Sequence, residues 1–236
     1  MVRVNQVKIK ADHTEEQLKK KAAELLRISA EDIREMKIVR RSVDARRKPE
    51  IFYSYSLDIK AGNEDRILHR FRGRENQVSR VRTTGYTFPR CGQKRRDGAT
   101  VIAGMGPAGL FCGYFLALHG YCPILLERGK CVEERQRDVE EFWRTGCLNE
   151  ESNVQFGEGG AGTFSDGKLN TLVKDRDGRN GVVLETLARF GAGESICYEA
   201  KPHIGTDVLR KVVRNMRNEI VRLGGQVRFQ SLVTDL

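Results

Sequence analysis

The sequence predicts an α/β protein in which a β-α-β unit with parallel strands follows a small α+β domain. Two observations lead to this prediction. A glycine-rich turn joins a short apolar pattern at residues 100–103, typical of a buried strand, to a helical pattern at residues 107–119. Near the N-terminus, residues 2–10 alternate between apolar and polar side chains, which is the period of a half-buried strand.

The glycine-rich turn has the spacing G-x-G-x-x-G at Gly104, Gly106 and Gly109. Each glycine has a physical role in binding a dinucleotide. The first allows a tight turn, the second lets the backbone approach a pyrophosphate, and the third lets the helix pack closely on the sheet. Pro107 and Ala108 fall in the first helical turn, where a missing N–H does no harm and the remaining N–H groups can face phosphates.

A second strand pattern at residues 124–126 ends at Glu127. A carboxylate at this place accepts hydrogen bonds from an adenosine ribose. It also disfavours a ribose with a 2′-phosphate, because two negative groups would meet. The neighbouring Arg128 is expected either to lie along the adenine or phosphates or to be a solvated arginine at the strand end. The pattern therefore predicts a dinucleotide site rather than a βα turn without a ligand, and it does not separate FAD from NAD.

A second glycine-rich stretch covers residues 156–171 and contains five glycines. That density disfavours a helix or a well-packed strand. It predicts either a flexible surface loop or, in the interpretation we prefer, a loop whose backbone passes close to a flat or phosphorylated ligand. The candidate cofactor contacts in this stretch are Gly160, Gly162, Ser165 and Lys168. Lys168 would hold negative charge on a reduced flavin ring.

Residues 1–89 are predicted to form a small, basic α+β domain of ferredoxin-like organisation. The alternating pattern of the strand at residues 2–10 slips at Asn5–Gln6, which allows a bulge there, and the next helix is expected to start at a capping box of Thr14 and Gln17. A shorter cap at Ser29 precedes strands at residues 36–44 and 51–59 and a short helix up to residue 69. Residues 73–98 are predicted to be a linker, with a domain boundary near residue 90.

The C-terminal part, residues 90–236, is predicted to continue the dinucleotide-binding fold. Helices are expected at residues 132–144 and 178–190, and a third helix, capped by Thr206, is expected up to residue 223. The strand pattern at residues 227–229 is expected to pair beside the strand that ends at Glu127. His203 is interpreted as a structural loop histidine rather than a residue that faces a flavin.

Composition is that of a soluble globular protein, with 39% hydrophobic and 31% charged residues. The sequence has neither an apolar run of membrane-spanning length nor a recognisable signal peptide, which predicts a cytoplasmic location and no membrane partner. The six cysteines form no C-x-x-C pair and lie near no histidine at metal-ligand spacing. We therefore expect reduced thiols and no metal site.

The net charge of +10 is concentrated in residues 1–97, which contain 25 of the 42 Lys and Arg and 14 of the 32 Asp and Glu. Such a surface could bind a polyanion. However, Tyr53 and Tyr55 share one face of their predicted strand and Phe52 lies on the other, as in an ordinary half-buried strand. A solvated basic surface is therefore preferred over nucleic-acid binding through residues 1–90.

Five strings are spread over nearly the whole chain: RSVDARRK at 41–48, GMGPAGLF at 104–111, PILLERG at 123–129, FGEGGAGTFSDGKL at 156–169 and PHIGTD at 202–207. They resemble the poorly characterised bacterial FAD-dependent dehydrogenases of the glutathione-reductase-type flavoprotein superfamily. The resemblance implies an FAD-binding Rossmann-type domain at residues 90–236. That domain would include the start of a substrate-domain insertion at about residues 130–204 and would be truncated at its C-terminus, because members of the family are longer.

We therefore expect an FAD-dependent oxidoreductase of unknown substrate, with NAD(P)H as a candidate electron donor. One alternative is an NAD-dependent enzyme without flavin, which the second glycine-rich stretch disfavours. The other is an RNA-binding or RNA-modifying flavoprotein that uses the basic N-terminal domain. The catalytic residues, the substrate and the oligomeric state are not indicated by the sequence.

Overall fold

The computed structural model describes residues 1–235 except positions 47, 82–84, 91, 93–96, 165–167, 170, 172 and 173. The described residues form a mixed α/β protein with one antiparallel and one parallel sheet. Unit 1 comprises residues 1–86, 170–184 and 194–202, and unit 2 comprises residues 87–169, 185–193 and 203–236. The division between residues 89 and 90 stays a prediction.

In the described part of residues 1–86, four strands and two α-helices follow one another in the order β-α-β-β-α-β. They are β1 (Val2–Lys10), α1 (Glu15–Leu26), β2 (Ile33–Asp44), β3 (Phe52–Ala61), α2 (Glu64–Arg70) and β4 (Val78–Arg80). The strands pair antiparallel in the order β2-β3-β1-β4. Buried side chains from all six elements form one hydrophobic core, which includes Val4, Leu18, Ile33, Leu57, Ile67 and Val78.

Two predictions for unit 1 that depend only on neighbouring residues are confirmed. The expected bulge in β1 is confirmed by a register shift between Val4 and Val7 and by a positive φ of 60° at Gln6. The capping box is also confirmed: the Gln17 N–H donates to Thr14 Oγ1, and the Thr14 N–H donates to Gln17 Oε1 at 2.8 Å.

The expectation that residues 73–98 are all linker is wrong. Within them β4 pairs antiparallel with β1 and places Val78 opposite Val4. A strand of three residues has too little pattern of its own to be recognised, and it exists because β1 offers it hydrogen-bond partners.

A later segment of unit 1 runs beside β2. The backbone N–H of Arg41 donates to the carbonyl of Tyr198 at 2.7 Å, and the Ala200 N–H donates to the carbonyl of Arg41 at 2.9 Å. The Arg41 guanidinium also forms an ion pair with Glu199. Residues 198–200 thus extend the pairing of the sheet at one point of its β2 edge.

Unit 2 contains a parallel sheet with the strand order β5-β6-β7, where β5 is Val101–Ala103, β6 is Ile124–Leu126 and β7 is Gln226–Arg228. Helix α3 (Pro107–Leu118) joins β5 to β6, and α6 (Thr206–Arg222) precedes β7. Between them lie α4 (Val132–Thr145) and α5 (Arg179–Leu187), the latter beginning in unit 1. The predicted pairing of the third strand beside β6 is confirmed, with Val227 opposite Leu125.

Three expectations for this part of the chain are corrected. Val101 is 56% exposed, so β5 is not a buried strand: in the part of the chain that the structure describes, β6 is its only neighbour. Helix α6 is capped by Gly205, because Thr206 already belongs to the first helical turn. The helix predicted up to residue 190 ends as α5 at Leu187 and passes into a π-helical turn, Ala188–Ala192.

Among the described residues, no helix has the length and apolar character needed to cross a membrane.

Candidate functional site

A cleft of about 300 Å³ opens at the carboxyl ends of β5 and β6 in unit 2. The strand ends and the first glycine turn line it with Ala103, Gly104, Gly106, Leu126, Glu127 and Arg128. The remaining lining comes from residues 155–157, Gly160 and residues 231–233. In open parallel α/β sheets this edge is the usual place for a ligand, so the cleft is the candidate site.

The first glycine turn shapes one wall of the cleft. Gly104 has φ +85°, which favours glycine, and its N–H donates to the carbonyl of Leu126 at 2.7 Å. A Cβ on Gly109 would lie 2.0 Å from the carbonyl oxygen of Gly104, so any side chain there would displace backbone. A Cβ on Gly106, by contrast, would meet nothing within 4 Å. The turn therefore needs Gly109 for packing and leaves open space at Gly106, the N-cap of α3.

Glu127 lies at the floor of the cleft and is only 4% exposed. Its Oε2 accepts a hydrogen bond from the Met105 N–H at 2.7 Å, and its Oε1 accepts one from the Gly129 N–H at 2.9 Å. The carboxylate thus ties the glycine turn to the turn after β6. Each carboxylate oxygen can accept more than one hydrogen bond, so these contacts leave capacity for a ligand hydroxyl.

Arg128 and Phe156 form a stacked pair at the cleft. The guanidinium carbon lies 4.0 Å from the centroid of the Phe156 ring, a cation–π distance. Arg128 is held there by Glu151, with Nε 2.8 Å from Glu151 Oε2. Both residues line the cleft.

The second glycine-rich stretch packs directly on the first glycine turn. The Gly159 N–H donates to the carbonyl of Met105 at 2.8 Å. Gly160 has φ +67°, and a Cβ on it would lie 3.1 Å from Cδ of Pro107. Two stretches about fifty residues apart in sequence therefore form one surface, and glycine is what allows their backbones to approach.

Arg135 of α4 organises this second stretch and was missed by the sequence analysis. Its side chain is fully buried and donates to five backbone carbonyls, those of Asn153, Val154, Gly157, Glu158 and Gly160. Burial lowers the pKa of Arg135 to about 10, although the carboxylates of Glu127 and Glu158 act in the opposite direction. The signal that could have found Arg135 is its helical spacing, three residues after Val132 and four before Val139, which places it on the apolar face of α4.

Glu158 is a second buried ionisable group behind the cleft. It is 0% exposed, and its Oε2 accepts hydrogen bonds from the Val132 N–H at 2.7 Å and from Arg217 at 2.9 Å. Its Oε1 has no hydrogen-bond partner among the described residues. Burial raises the pKa of Glu158 to about 7, although Arg217 and the Val132 N–H act to lower it.

The structure places the predicted site residues as follows. Gly104, Gly106, Glu127, Arg128 and Gly160 line the cleft, whereas Gly162 and Lys168 are not among its lining residues. Pro107 and Ala108 form the first turn of α3, and Gly109 supports that turn from behind. Lys168 pairs with His203 through an isolated β-bridge, and Ser165 lies outside the described residues.

The cleft has further lining that sequence reasoning did not find. After β7, the Ser231 N–H donates to the carbonyl of Glu127 at 2.9 Å and the Gln230 N–H donates to that of Gly129 at 3.0 Å. These bonds bring residues 231–233 to the cleft. Among the described residues, no group of three or more His, Cys, Asp or Glu is placed to hold a metal ion.

Comparisons with known proteins give relatives without assigned activities. A family model described as a domain of unknown function (DUF8436) matches residues 1–60, which lie in unit 1. A curated protein from Clostridium beijerinckii, named as an uncharacterized protein, is 44% identical over 230 residues. That alignment covers 98% of this chain and 42% of the relative, so the chain spans less than half the length of the protein it matches.

Proposed function

We propose that this chain is part of an FAD-dependent oxidoreductase and that the cleft of unit 2 binds the adenosine diphosphate portion of FAD in a Rossmann-type β-α-β arrangement. The observation that carries the proposal is the meeting of separate stretches at one cleft. Gly104, Glu127 and Gly160 come from the first glycine turn, the end of β6 and the second glycine stretch, and all three line it.

The groups at the cleft suit the parts of a dinucleotide. The open space at Gly106, beside the N-terminus of α3, lets a pyrophosphate approach backbone N–H groups that have no acceptor within the helix. Glu127 can accept hydrogen bonds from ribose hydroxyls while it keeps its contacts to Met105 and Gly129. The Arg128 guanidinium and the Phe156 ring, which contact each other in the cleft lining, are flat groups of the kind that stack on a purine.

The size of the cleft limits which part of the cofactor unit 2 can enclose. About 300 Å³ is at the lower end of the range of roughly 300–1,000 Å³ for small-molecule pockets. It suits a nucleotide fragment rather than a whole dinucleotide. When FAD is bound, its isoalloxazine ring supplies hydride or single-electron transfer, and the protein supplies binding, orientation and electrostatics.

FAD is favoured over NAD by the second glycine stretch, which packs on the first turn through Gly159 and Gly160. A dinucleotide site of the simple NAD type needs a single glycine turn. The backbone of the second glycine stretch is an additional surface beside the first turn. It favours FAD, whose flavin part continues beyond the pyrophosphate.

The proposal is tested by titrating FAD, ADP and NAD⁺ into the 236-residue chain by calorimetry. The visible spectrum of the full-length Clostridium beijerinckii relative is recorded in parallel. We expect ADP and FAD to bind the chain and the relative to purify with a flavin spectrum. Tighter binding of NAD⁺ than of FAD, together with a colourless relative that takes up no added FAD, would refute the proposal.

A matched pair of variants locates the site. Gly106→Val places a branched side chain in the open space of the cleft and should weaken ADP and FAD binding at least tenfold. Gly181→Val is the control, because a Cβ on Gly181 also meets nothing within 4 Å but this residue lies in unit 1. Circular dichroism and thermal melts confirm that both variants fold. If folded Gly106→Val binds as well as the control, the assignment of the cleft is wrong.

A further inference from the structure

We propose that unit 2 has a second binding site, a cavity between α4 and α6 that takes a phosphate-bearing small molecule. The cavity has a volume of about 230 Å³ and shares no lining residue with the cleft at β5 and β6. Helix α4 lines it with Val132, Glu133 and Gln136, and α6 lines it with Asp207, Arg210, Lys211 and Arg214. The proposal does not depend on FAD binding.

The first observation is a group of three cations that form no ion pair with any described residue. The three residues are Arg210, Lys211 and Arg214, all on α6, where Arg210 and Arg214 are one helical turn apart. In the part of the chain that the structure describes, none of the three forms an ion pair. The other two arginines near the end of α6 behave differently, because Arg217 binds Glu133 and Glu158 and Arg222 binds Glu219.

The acidic residues at the cavity do not neutralise this group. Glu133 is paired through its Oε1, which lies 2.9 Å from Arg217, whereas its Oε2 is buried and has no hydrogen-bond partner among the described residues. Asp207 is exposed in the first turn of α6 and forms no ion pair among the described residues, although Arg210 and Lys211 stand three and four positions after it. Three cations therefore share the cavity with one carboxylate, that of Asp207, which forms no ion pair among the described residues. Two positive side chains one turn apart on a helix repel each other and destabilise it. An anion in the cavity removes this repulsion.

The second observation is that packing holds part of the cavity lining in place. Arg210 is half-buried, and its guanidinium carbon lies 5.8 Å from the centroid of the Phe164 ring. The same ring lies 4.7 Å from the guanidinium carbon of Arg135, the residue that holds the second glycine stretch. The Arg210 side chain is thus positioned by packing rather than free in solvent, which reduces the entropy lost when it binds a ligand.

The ligand class follows from the donors and the volume. Guanidinium groups bind phosphate through paired N–H donors, and a lysine adds a point charge. Two arginines and a lysine suit a phosphate dianion better than a single carboxylate. A cavity of about 230 Å³ is below the usual range for drug-sized ligands, so we assign it to a small phosphorylated metabolite rather than to a dinucleotide or a polymer.

The experiment titrates inorganic phosphate and glycerol 3-phosphate into the 236-residue chain by calorimetry, at constant ionic strength maintained with sodium chloride. Tricarballylate, a small tricarboxylate, is titrated as the competing anion class. We expect saturable binding of both phosphates, with glycerol 3-phosphate at least as tight as inorganic phosphate and tricarballylate at least tenfold weaker. Tricarballylate binding as tightly as the phosphates would overturn the assignment to a phosphate ligand, and no saturable anion binding would overturn the site.

Variants place the binding at the cavity. Arg210→Met/Arg214→Met should weaken phosphate binding at least tenfold, and Arg222→Met, on the same helix but outside the cavity, should leave it within twofold of the original chain. Exposed Arg214 is also changed alone, to Met, so that the test stands if the double variant does not fold; we expect a loss of at least threefold. Equal phosphate affinity in the folded Arg214→Met and Arg222→Met variants would refute the site.

Discussion

Replacing Arg135 by methionine tests whether one buried side chain holds the second glycine stretch against the first. Methionine replaces the aliphatic stem of the arginine side chain with an apolar chain of similar length. It has no guanidinium group and therefore cannot donate the hydrogen bonds. Arg135 donates to carbonyls at 2.7 to 3.3 Å, and the substitution leaves all five without this partner. Hydrogen bonds to charged groups are worth about 1.5–3 kcal/mol each, offset by the cost of burying the guanidinium.

The net effect is set by removal of one partner from a buried charged network, for which losses are about 3–5 kcal/mol. We expect this loss to appear first as local opening of residues 153–160, because opening lets the carbonyls that lose Arg135 form hydrogen bonds with water instead. Since 1.4 kcal/mol corresponds to a factor of ten, amide hydrogen exchange in this segment should accelerate about 100-fold or more. The amides of Glu158 and Gly159, which donate to the carbonyls of Lys130 and Met105, are the sensitive reporters.

The assay is hydrogen exchange followed by mass spectrometry, with urea unfolding measured in parallel. Arg137→Met is the control, because Arg137 is an exposed residue of the same helix and forms no ion pair among the described residues. We expect the control to stay within about 0.5 kcal/mol of the original chain. If exchange in residues 153–160 changes less than threefold in Arg135→Met, the glycine contacts alone hold the stretch and the reasoning is refuted.

Two more predictions concern the same unit. Gly109→Ala should lower the free energy of unfolding by about 3 kcal/mol or more, because its Cβ would lie 2.0 Å from the backbone oxygen of Gly104. Gly113→Ala should cost less, about 1–2 kcal/mol, because its Cβ would lie 2.8 Å from a terminal carbon of the buried Leu125 side chain, which can shift more easily than backbone; a reversed order in thermal melts would contradict this. The pKa of Glu158 is about 7 in the folded protein, above its usual value of 4.5. Between these values the folded state binds more protons than the unfolded state, so the free energy of unfolding falls as pH rises, by up to about 3 kcal/mol. Glu158→Gln should remove this dependence in urea unfolding at pH 5 and pH 8, and parallel profiles for the two proteins would count against it.

The parts of the fold that the sequence predicted well are those in which neighbouring residues decide the conformation. The capping box of Thr14 and Gln17 closes within four residues, and the bulge at Gln6 shows as a slip in an alternating pattern. The short strand β4 shows the opposite case. Its three residues pair with β1 across more than seventy positions, and nothing within residues 78–80 marks them as a strand.

For the candidate site, the sequence by itself determined the turns. G-x-G-x-x-G and the strand that ends at Glu127 follow from residue type and spacing, because a positive φ at Gly104 and the absence of a Cβ at Gly109 are local requirements. Only the tertiary structure decided which charges are buried. Arg135 stands at helical spacing with Val132 and Val139, but its charge and that of Glu158 predict exposure; both side chains are fully buried because the second glycine stretch packs on α4. Burial depends on contacts between residues far apart in the chain, and a one-dimensional pattern does not contain them.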